Sequence, residues 1–425
     1  MKILFISPGS GDSFYCGNCF RDNLQANALR RIGHEVIVMP IYLPLKYPSF
    51  KGDTPLFFPA ITVYTAQKFF RKGRMPHWVE NFLNSSKILN MAAAFSGSTS
   101  AAGLEDMTLS MIKGDDAVFG KQAKTLINWI ELHEKPDIIH LSSTLLIGIA
   151  KALKQRLKIP VVCSLQDEEV WIESMKGEYL QAAWQGITEN LKYIDQFTAS
   201  SEFYKNIITT RIPCITNIKV IYPGVNTERY ASNHYPDDPV IGFFYRMNRE
   251  NGLDILAEAF VKLKNRDSIK NLKLKIAGGY TTHDKLFLKK VKKILSPYIN
   301  DVDLCRTYSP DNHADFYSKI SIICVPLTFD EGVGLYLCEA FAAGRPAVEP
   351  RTGSFPEITD NAGLVYSPNN SDALANAIEK LLTDKDLFTN CRINALQLSH
   401  ERYSDTVMGN RLQEVYEKVK RTSCC

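Results

Sequence analysis

Two glutamates eight residues apart, Glu331 and Glu339, stand where this chain could do chemistry, in the run Asp330-Glu331-Gly332-Val333-Gly334-Leu335-Tyr336-Leu337-Cys338-Glu339. The run follows an apolar stretch that ends near Pro326 and opens a helix at Leu335. Doubly wound sheets bind ligands beyond the carboxyl ends of their strands, and a helix start offers backbone N–H groups to an anion. Gly332 and Gly334 let a ligand approach the backbone around Val333 and Leu335. Glu331 precedes the helix and Glu339 lies two turns into it, so the pair can contact different parts of one elongated ligand. On the two glutamates alone, an ordinary solvated helix is the better account.

Other reactive residues offer less. Cys16-Gly17-Asn18-Cys19 is a single CxxC with no second pair and no histidine cluster, which is too few ligands for zinc. Asp301-Val302-Asp303 resembles a metal-binding pair of carboxylates but precedes a strand instead of ending one. No metal site is expected. His140 ends a predicted strand on the ligand side, where a lone histidine is more often a structural group. The terminal Cys424-Cys425 is read as chance.

These residues need a frame to hold them. The first half alternates apolar runs with amphipathic stretches: strand 2–7, loop 9–11, helix 19–32, strand 34–41, strand 137–141, helix 145–157, strand 160–165 and strand 196–199. Continuous apolar strands separated by helices imply a parallel sheet covered on both faces. From about 45 to 120 the rhythm fails, in a segment long for a connection. The second half restarts it, with strands at 240–245, 272–277, 302–305, 320–325 and 346–349. Its helices are expected at 253–263, 285–295, 313–319 and 335–343, and a last one capped by Ser371 runs to about 382. The fold class is α/β with two Rossmann-like, doubly wound domains. The first spans 1–222 with the insertion 45–120; a linker spans 223–239, and the second domain spans 240–396. Residues 397–425 are expected to form a helix returning to the first domain.

At this point the sequence resembles the retaining family 4 glycosyltransferases, which have the GT-B fold. EGVGLYLCEAFAAGRP (331–346) is similar to that family's Glu, seven residues, Glu motif, and Val220-Ile221-Tyr222-Pro223-Gly224-Val225-Asn226-Thr227 to its interdomain signature. Pro136-Asp137-Ile138-Ile139-His140 resembles the strand that enters the first domain's ligand face. The resemblance implies that Glu331 binds donor-sugar hydroxyls and that Glu339 holds the ribose of a nucleotide. It places Gly334 and Leu335 at the diphosphate or sugar, and matches Arg246 to the family's phosphate-binding arginine. A guanidinium suits that role because it stays charged and grips phosphate through paired donors. The reaction implied is retaining and metal-independent: a sugar moves from a nucleotide-sugar donor to a hydroxyl acceptor in a closed interdomain cleft, with no cofactor.

The chain departs from the family twice. Asn251 stands where the family has lysine, removing a positive charge for which Arg249 is the nearby substitute. Gln166-Asp167-Glu168 replaces the usual histidine after the fourth strand, and glutamine can orient a hydroxyl but not shuttle a proton. The segment Cys16-Gly17-Asn18-Cys19-Phe20-Arg21-Asp22-Asn23 resembles that of a bacterial subgroup. With Gly11, His140, Gln166 and Asp167, its Gly17, Asn18 and Asn23 are expected at the acceptor side. Two alternatives stay open: a non-catalytic nucleotide-sugar-binding protein, and a nucleotide-sugar epimerase.

Partners follow from bulk properties. The chain of 425 residues is 45% hydrophobic and 23% charged with a net charge of only +4, which argues against nucleic acid. No secretory leader is read at the N-terminus, where Ser7-Pro8-Gly9 stops the apolar run, and a reducing cytoplasm is expected from ten unpatterned cysteines. Lys68-Phe69-Phe70-Arg71-Lys72-Gly73-Arg74 with Trp78 and Phe82, and the lysines of 285–295, mix cationic and apolar residues. Such stretches are usually solvated faces; if the segment 68–82 touches the inner membrane, the acceptor is lipid-borne.

Overall fold

The computed structural model describes residues 1–8, 17–41, 103–114, 117–231, 234–305 and 313–423. The chain divides into two compact units. One comprises Met1–Ser200, Lys205–Ile221 and Gly409–Cys425; the other comprises Ser201–Tyr204 and Tyr222–Met408.

The first unit holds a six-stranded parallel sheet in the order β2-β1-β3-β4-β5-β6. Its strands are β1 (Lys2–Ser7), β2 (Glu35–Pro40), β3 (Ile138–Leu141), β4 (Val161–Leu165), β5 (Gln196–Ala199) and β6 (Ile218–Val220). Every residue of β3, β4 and β5 is buried, as expected for strands covered on both faces. Helix Gly17–Arg31 returns the chain from β1 to β2.

The second unit holds another six-stranded parallel sheet, ordered β12-β11-β10-β7-β8-β9. Its strands are β7 (Val240–Phe244), β8 (Lys273–Ala277), β9 (Val302–Leu304), β10 (Ile322–Ile323), β11 (Ala347–Pro350) and β12 (Gly363–Tyr366). This order reverses between β7 and β10, which pair directly through Ile322 with Ile241 and Ile323 with Gly242. Ligands of such sheets sit at that reversal, outside the carboxyl ends. Helix Leu253–Arg266 follows β7 and buries Leu253, Leu256, Ala257, Phe260 and Leu263, a helical stripe, against the sheet. Each of these leucines and the phenylalanine contributes about 2 kcal/mol when fully removed from water.

Several expectations need correction. The predicted helix 145–157 is a 3₁₀ turn, Thr144–Ile149, leading into an α-helix over Ala150–Leu157. Gly148 there lies against Met111 and Gly114, a close backbone approach that leaves no room for a side chain. Strand 320–325 pairs with its neighbours only at Ile322–Ile323. Ser371 is not the cap of its helix: Asn370 is, its side chain accepting from Asp372 N and Ala373 N. Strands β6 and β12 were not anticipated, nor were helices Glu105–Lys113, Glu178–Asn190 and Lys385–Glu401. Helix Glu105–Lys113 occupies part of the segment where the rhythm seemed to fail; residues 42–102, with the basic stretch 68–82, lie outside the described residues.

Candidate active site

In the second unit, β7 leads into a tight loop that carries Arg246. The Met247 N–H donates to Gly279 O at 2.8 Å, tying this loop to the end of β8, and Thr328 N donates to Glu250 O at 2.9 Å, tying it to the segment after β10. The Arg246 guanidinium donates to Asp284 Oδ2 at 3.2 Å and to Thr281 Oγ1 at 3.3 Å. Burial alone would push the Asp284 carboxyl up, but the Thr281 N–H and hydroxyl and the Arg246 charge outweigh it and hold the group below the usual range. Arg246 is therefore a positioned cation beside a committed anion.

Asn251 does not reach outward from this loop. It is buried, its Nδ2 donates to Arg246 O at 2.7 Å, and its own N–H donates to Asn248 Oδ1 at 3.0 Å. Asn251 therefore shapes the turn that presents Arg246 instead of offering a group to a ligand. Nor does Arg249 replace the missing lysine here: its side chain is 84% exposed, with its Nε 3.9 Å from Asp254 Oδ2.

The second half of the site follows β10. Glu331 Oε1 accepts from Val333 N at 3.0 Å and, more weakly, from Gly334 N at 3.5 Å. Its Oε2 accepts from the Tyr245 hydroxyl at 3.0 Å. The carboxylate thus lies over the backbone around Gly332, Val333 and Gly334. Gly334 caps helix Leu335–Ala342 in the left-handed region, φ 61°, where glycine costs least. In the first turn the Leu337 N–H donates to Gly334 O at 2.9 Å, while those of Leu335 and Tyr336 have no acceptor within the helix. Gly353, at φ 56°, closes on this loop from below: a side chain there would meet Glu331 N at 2.5 Å. Neither Gly353 nor Tyr245 was singled out from the sequence; Tyr245 adjoins the matched Arg246, but Gly353 carries no local signal.

Glu339 is only 2% exposed. Its Oε1 accepts from the Tyr230 hydroxyl at 2.7 Å and faces His313 Nδ1 at 3.1 Å, while Oε2 accepts from the Tyr317 hydroxyl at 2.8 Å. Burial, reinforced by this carboxylate, raises both tyrosines and keeps them protonated as donors. Three of four acceptor positions are filled from within the protein. Another buried carboxyl, Glu349 at the carboxyl end of β11, accepts from Val325 N at 3.2 Å and is driven well up by burial.

In the first unit the residues expected at the acceptor side are partly structural. His140 is fully buried and stacked on Phe5, with Nδ1 2.6 Å from the Tyr416 hydroxyl and Nε2 2.8 Å from Ser164 Oγ. Burial lowers it to about 3, so it is neutral. With both nitrogens engaged it serves the core, which corrects the expectation of a ligand role.

Gln166 is likewise engaged: its Oε1 accepts from Arg21 Nη2 at 2.6 Å and Nε at 3.1 Å, and its Nε2 donates to Asp22 Oδ1 at 2.8 Å. Ser7 Oγ donates to the other Asp22 oxygen at 3.1 Å. Gln166 is a strut between two consecutive charged residues, not a free amide for an acceptor hydroxyl. Asp167 differs. It sits at φ 53°, side chain 33% exposed, 3.8 Å from Arg21 Nη2, in a backbone conformation that non-glycine residues adopt at some cost. Asn23 is buried and accepts from Asn27 Nδ2 at 2.9 Å. Gly17 and Asn18 open helix Gly17–Arg31, while Gly11 and Cys16 lie outside the described residues.

The two sheets and their sites have relatives. Residues 225–398 match the family Glycosyl transferases group 1, and residues 116–229 match Glycosyltransferase Family 4. The chain carries two glycosyltransferase domains. Arg246, Glu331 and Glu339 all lie within the group 1 domain, and Gln166 and Asp167 within the family 4 domain.

The D-inositol 3-phosphate glycosyltransferase of Corynebacterium jeikeium is 26% identical over 222 residues, 48% of this chain and 52% of that one. An uncharacterized glycosyltransferase of Methanocaldococcus jannaschii, MJ1607, is 23% identical over 316 residues, covering 67% and 76%. Among solved structures, a sucrose-phosphate synthase from Thermosynechococcus elongatus covers 99% of this glycosyltransferase and all of itself, at TM-score 0.69 and 15% identity. Anabaena HepE in complex with UDP-glucose covers 98% and 100% at TM-score 0.64 and 15% identity. These likenesses carry the GT-B fold.

Proposed function

We propose that this glycosyltransferase moves a sugar from a nucleotide-sugar donor to a hydroxyl acceptor, with retention at the anomeric carbon and without a metal. The observation that carries the proposal is the bond from Tyr245, the neighbour of Arg246, to Glu331, which joins the loop after β7 to the start of helix Leu335–Ala342 at the carboxyl edge where the β7–β10 order reverses. A diphosphate placed there meets a cation and the N–H groups at the start of the helix, which stabilise the charge that develops as the sugar leaves. HepE, of the same fold, binds UDP-glucose, which fits a donor of this class.

Each residue then has a task. Arg246 exchanges its contact with Asp284 for phosphate oxygens. Glu331 takes a donor-sugar hydroxyl while its bonds to Val333 N and Tyr245 hold it still. Glu339 takes the ribose, with Tyr230 as the donor that yields its place. Asp167 contacts the acceptor on the first unit, where Gln166 does not.

In retention, the C1–O bond to the diphosphate breaks and the new C1–O bond forms on the same face, the acceptor proton passing to the departing phosphate.

Incubating the protein with UDP-, GDP- and ADP-sugars in EDTA, and measuring nucleoside diphosphate release, tests the reading. Release that is lost in Glu331→Ala supports it, and the anomeric coupling constant of the product reports retention. Tight donor binding with no release, even with cell extract supplying acceptors, overturns it.

A further inference from the structure

Helix Lys285–Leu295, the crossover from β8 to β9, holds five lysines (285, 289, 290, 292 and 293) and no acidic residue. The whole chain has a net charge of +4, so with these five removed everything else comes to −1. The charge of this one helix thus exceeds the net charge of the whole chain.

The helix presents two faces. Val291 and Leu295 are buried, with Phe287, Leu288 and Ile294 partly covered beside them; all five lysines and Leu286 are exposed. At 100° per residue, positions 292, 285, 289, 293, 286 and 290 fall on one arc of about 160°. That arc is cationic throughout except for Leu286, which is 72% exposed.

Elsewhere in this unit basic side chains sit against acids. Lys262 pairs with Asp372, Lys264 with Asp301, Arg266 with Glu379, Lys273 with Asp238, and Lys319 with Asp315. None of the five lysines of this helix has an acidic partner among the described residues. An ordinary solvated face mixes signs, because like charges on adjacent turns repel. A face of one sign with an apolar side chain in its middle suits a surface that is anionic and has an apolar interior beneath it.

We propose that the exposed face of helix Lys285–Leu295 docks on an anionic lipid bilayer, its lysines against phosphate headgroups and Leu286 between them. The helix begins one residue after Asp284, the partner of Arg246, so docking sets the carboxyl edge of this sheet beside the membrane. The docking surface stands apart from the reading of the site, since vesicle binding is measured without any sugar.

The test is co-sedimentation of the full chain with vesicles of phosphatidylcholine alone, or mixed with phosphatidylglycerol, at low and high salt. The parent protein should bind the mixed vesicles, release them at high salt, and ignore the neutral ones. The triple variant K289A/K290A/K293A should bind about a hundredfold more weakly, at roughly fivefold per lysine removed. Alanine favours helix and these positions are exposed, so the variant keeps its fold, which circular dichroism checks. A control variant, K380A/K385A/K418A, removes as much charge from exposed positions on other helices and should bind as the parent does. Equal loss in both variants, indifference to phosphatidylglycerol, or retention on heparin without vesicle binding overturns the proposal.

Discussion

The Tyr245 hydroxyl donates to Glu331 Oε2 at 3.0 Å, joining the residue just after β7 to the glutamate that follows β10. The two segments are far apart in sequence, and this bond holds them at one edge of the sheet. Tyr245 also packs edge-on against Tyr336 in the first turn of helix Leu335–Ala342, at 5.6 Å between ring centroids. One side chain thus orients both the carboxylate and the helix start.

Removing that hydroxyl in Tyr245→Phe should leave the fold intact and lower donor kcat/KM by about tenfold, the equivalent of one hydrogen bond to a charged group. Steady-state kinetics with the preferred donor reads this. An unchanged kcat/KM shows that Glu331 needs no such support.

Asn251 gives a second prediction. Its amide satisfies the Arg246 carbonyl in a buried loop, so Asn251→Ala should cost about 1–2 kcal/mol, seen as a lower melting temperature. Asn251→Lys, which restores the family's residue, should also destabilise, because the amine displaces the buried amide that donates to Arg246 O. A rise in melting temperature with lysine would show that the loop tolerates the family arrangement.

The buried cluster in the first unit makes a prediction in pH. Burial raises the Asp22 carboxyl to about 6, against the opposing pull of Gln166, Arg21 and Ser7. A folded value above the unfolded one, about 3.9, means that the stability from this group is fully present below about pH 4 and lost as pH rises through 6. The loss is on the order of 3 kcal/mol. Asp22→Asn keeps an acceptor for Gln166 and cannot ionise, so its stability from pH 4 to 7 should fall less than the parent's. Parallel denaturant titrations decide this; identical pH slopes would assign the dependence elsewhere.

Much of the fold was legible because parallel strands buried on both faces read as short apolar runs. The strands β1, β4, β5 and β7 needed nothing more. Weak edge strands such as β6, whose residues are only partly covered, and helices inside polar segments carry too little periodicity to stand out. In the second unit the helix start was legible where glycines mark it, at 332–334. Where side chains point was not. Gln166 was expected to face a ligand but braces Arg21 and Asp22, and His140 closes on Tyr416, 276 residues away. Asn251 was read as a lost charge, whereas its amide completes the turn that presents Arg246. The roles of Gln166 and His140 depend on partners distant in sequence, and that of Asn251 on the path of a tight turn, neither of which spacing encodes. The Arg246–Asp284 pair was half visible, since Thr281 and Asp284 have the spacing of a capping box.

The central claim is that Arg246 neutralises the departing diphosphate, and the most direct measurement is the rate of nucleoside diphosphate release by Arg246→Ala with saturating donor and acceptor in EDTA. The account predicts a fall of about a hundredfold or more relative to the parent, as when a preorganised charge-stabilising donor is lost. Equal rates in parent and variant would contradict it.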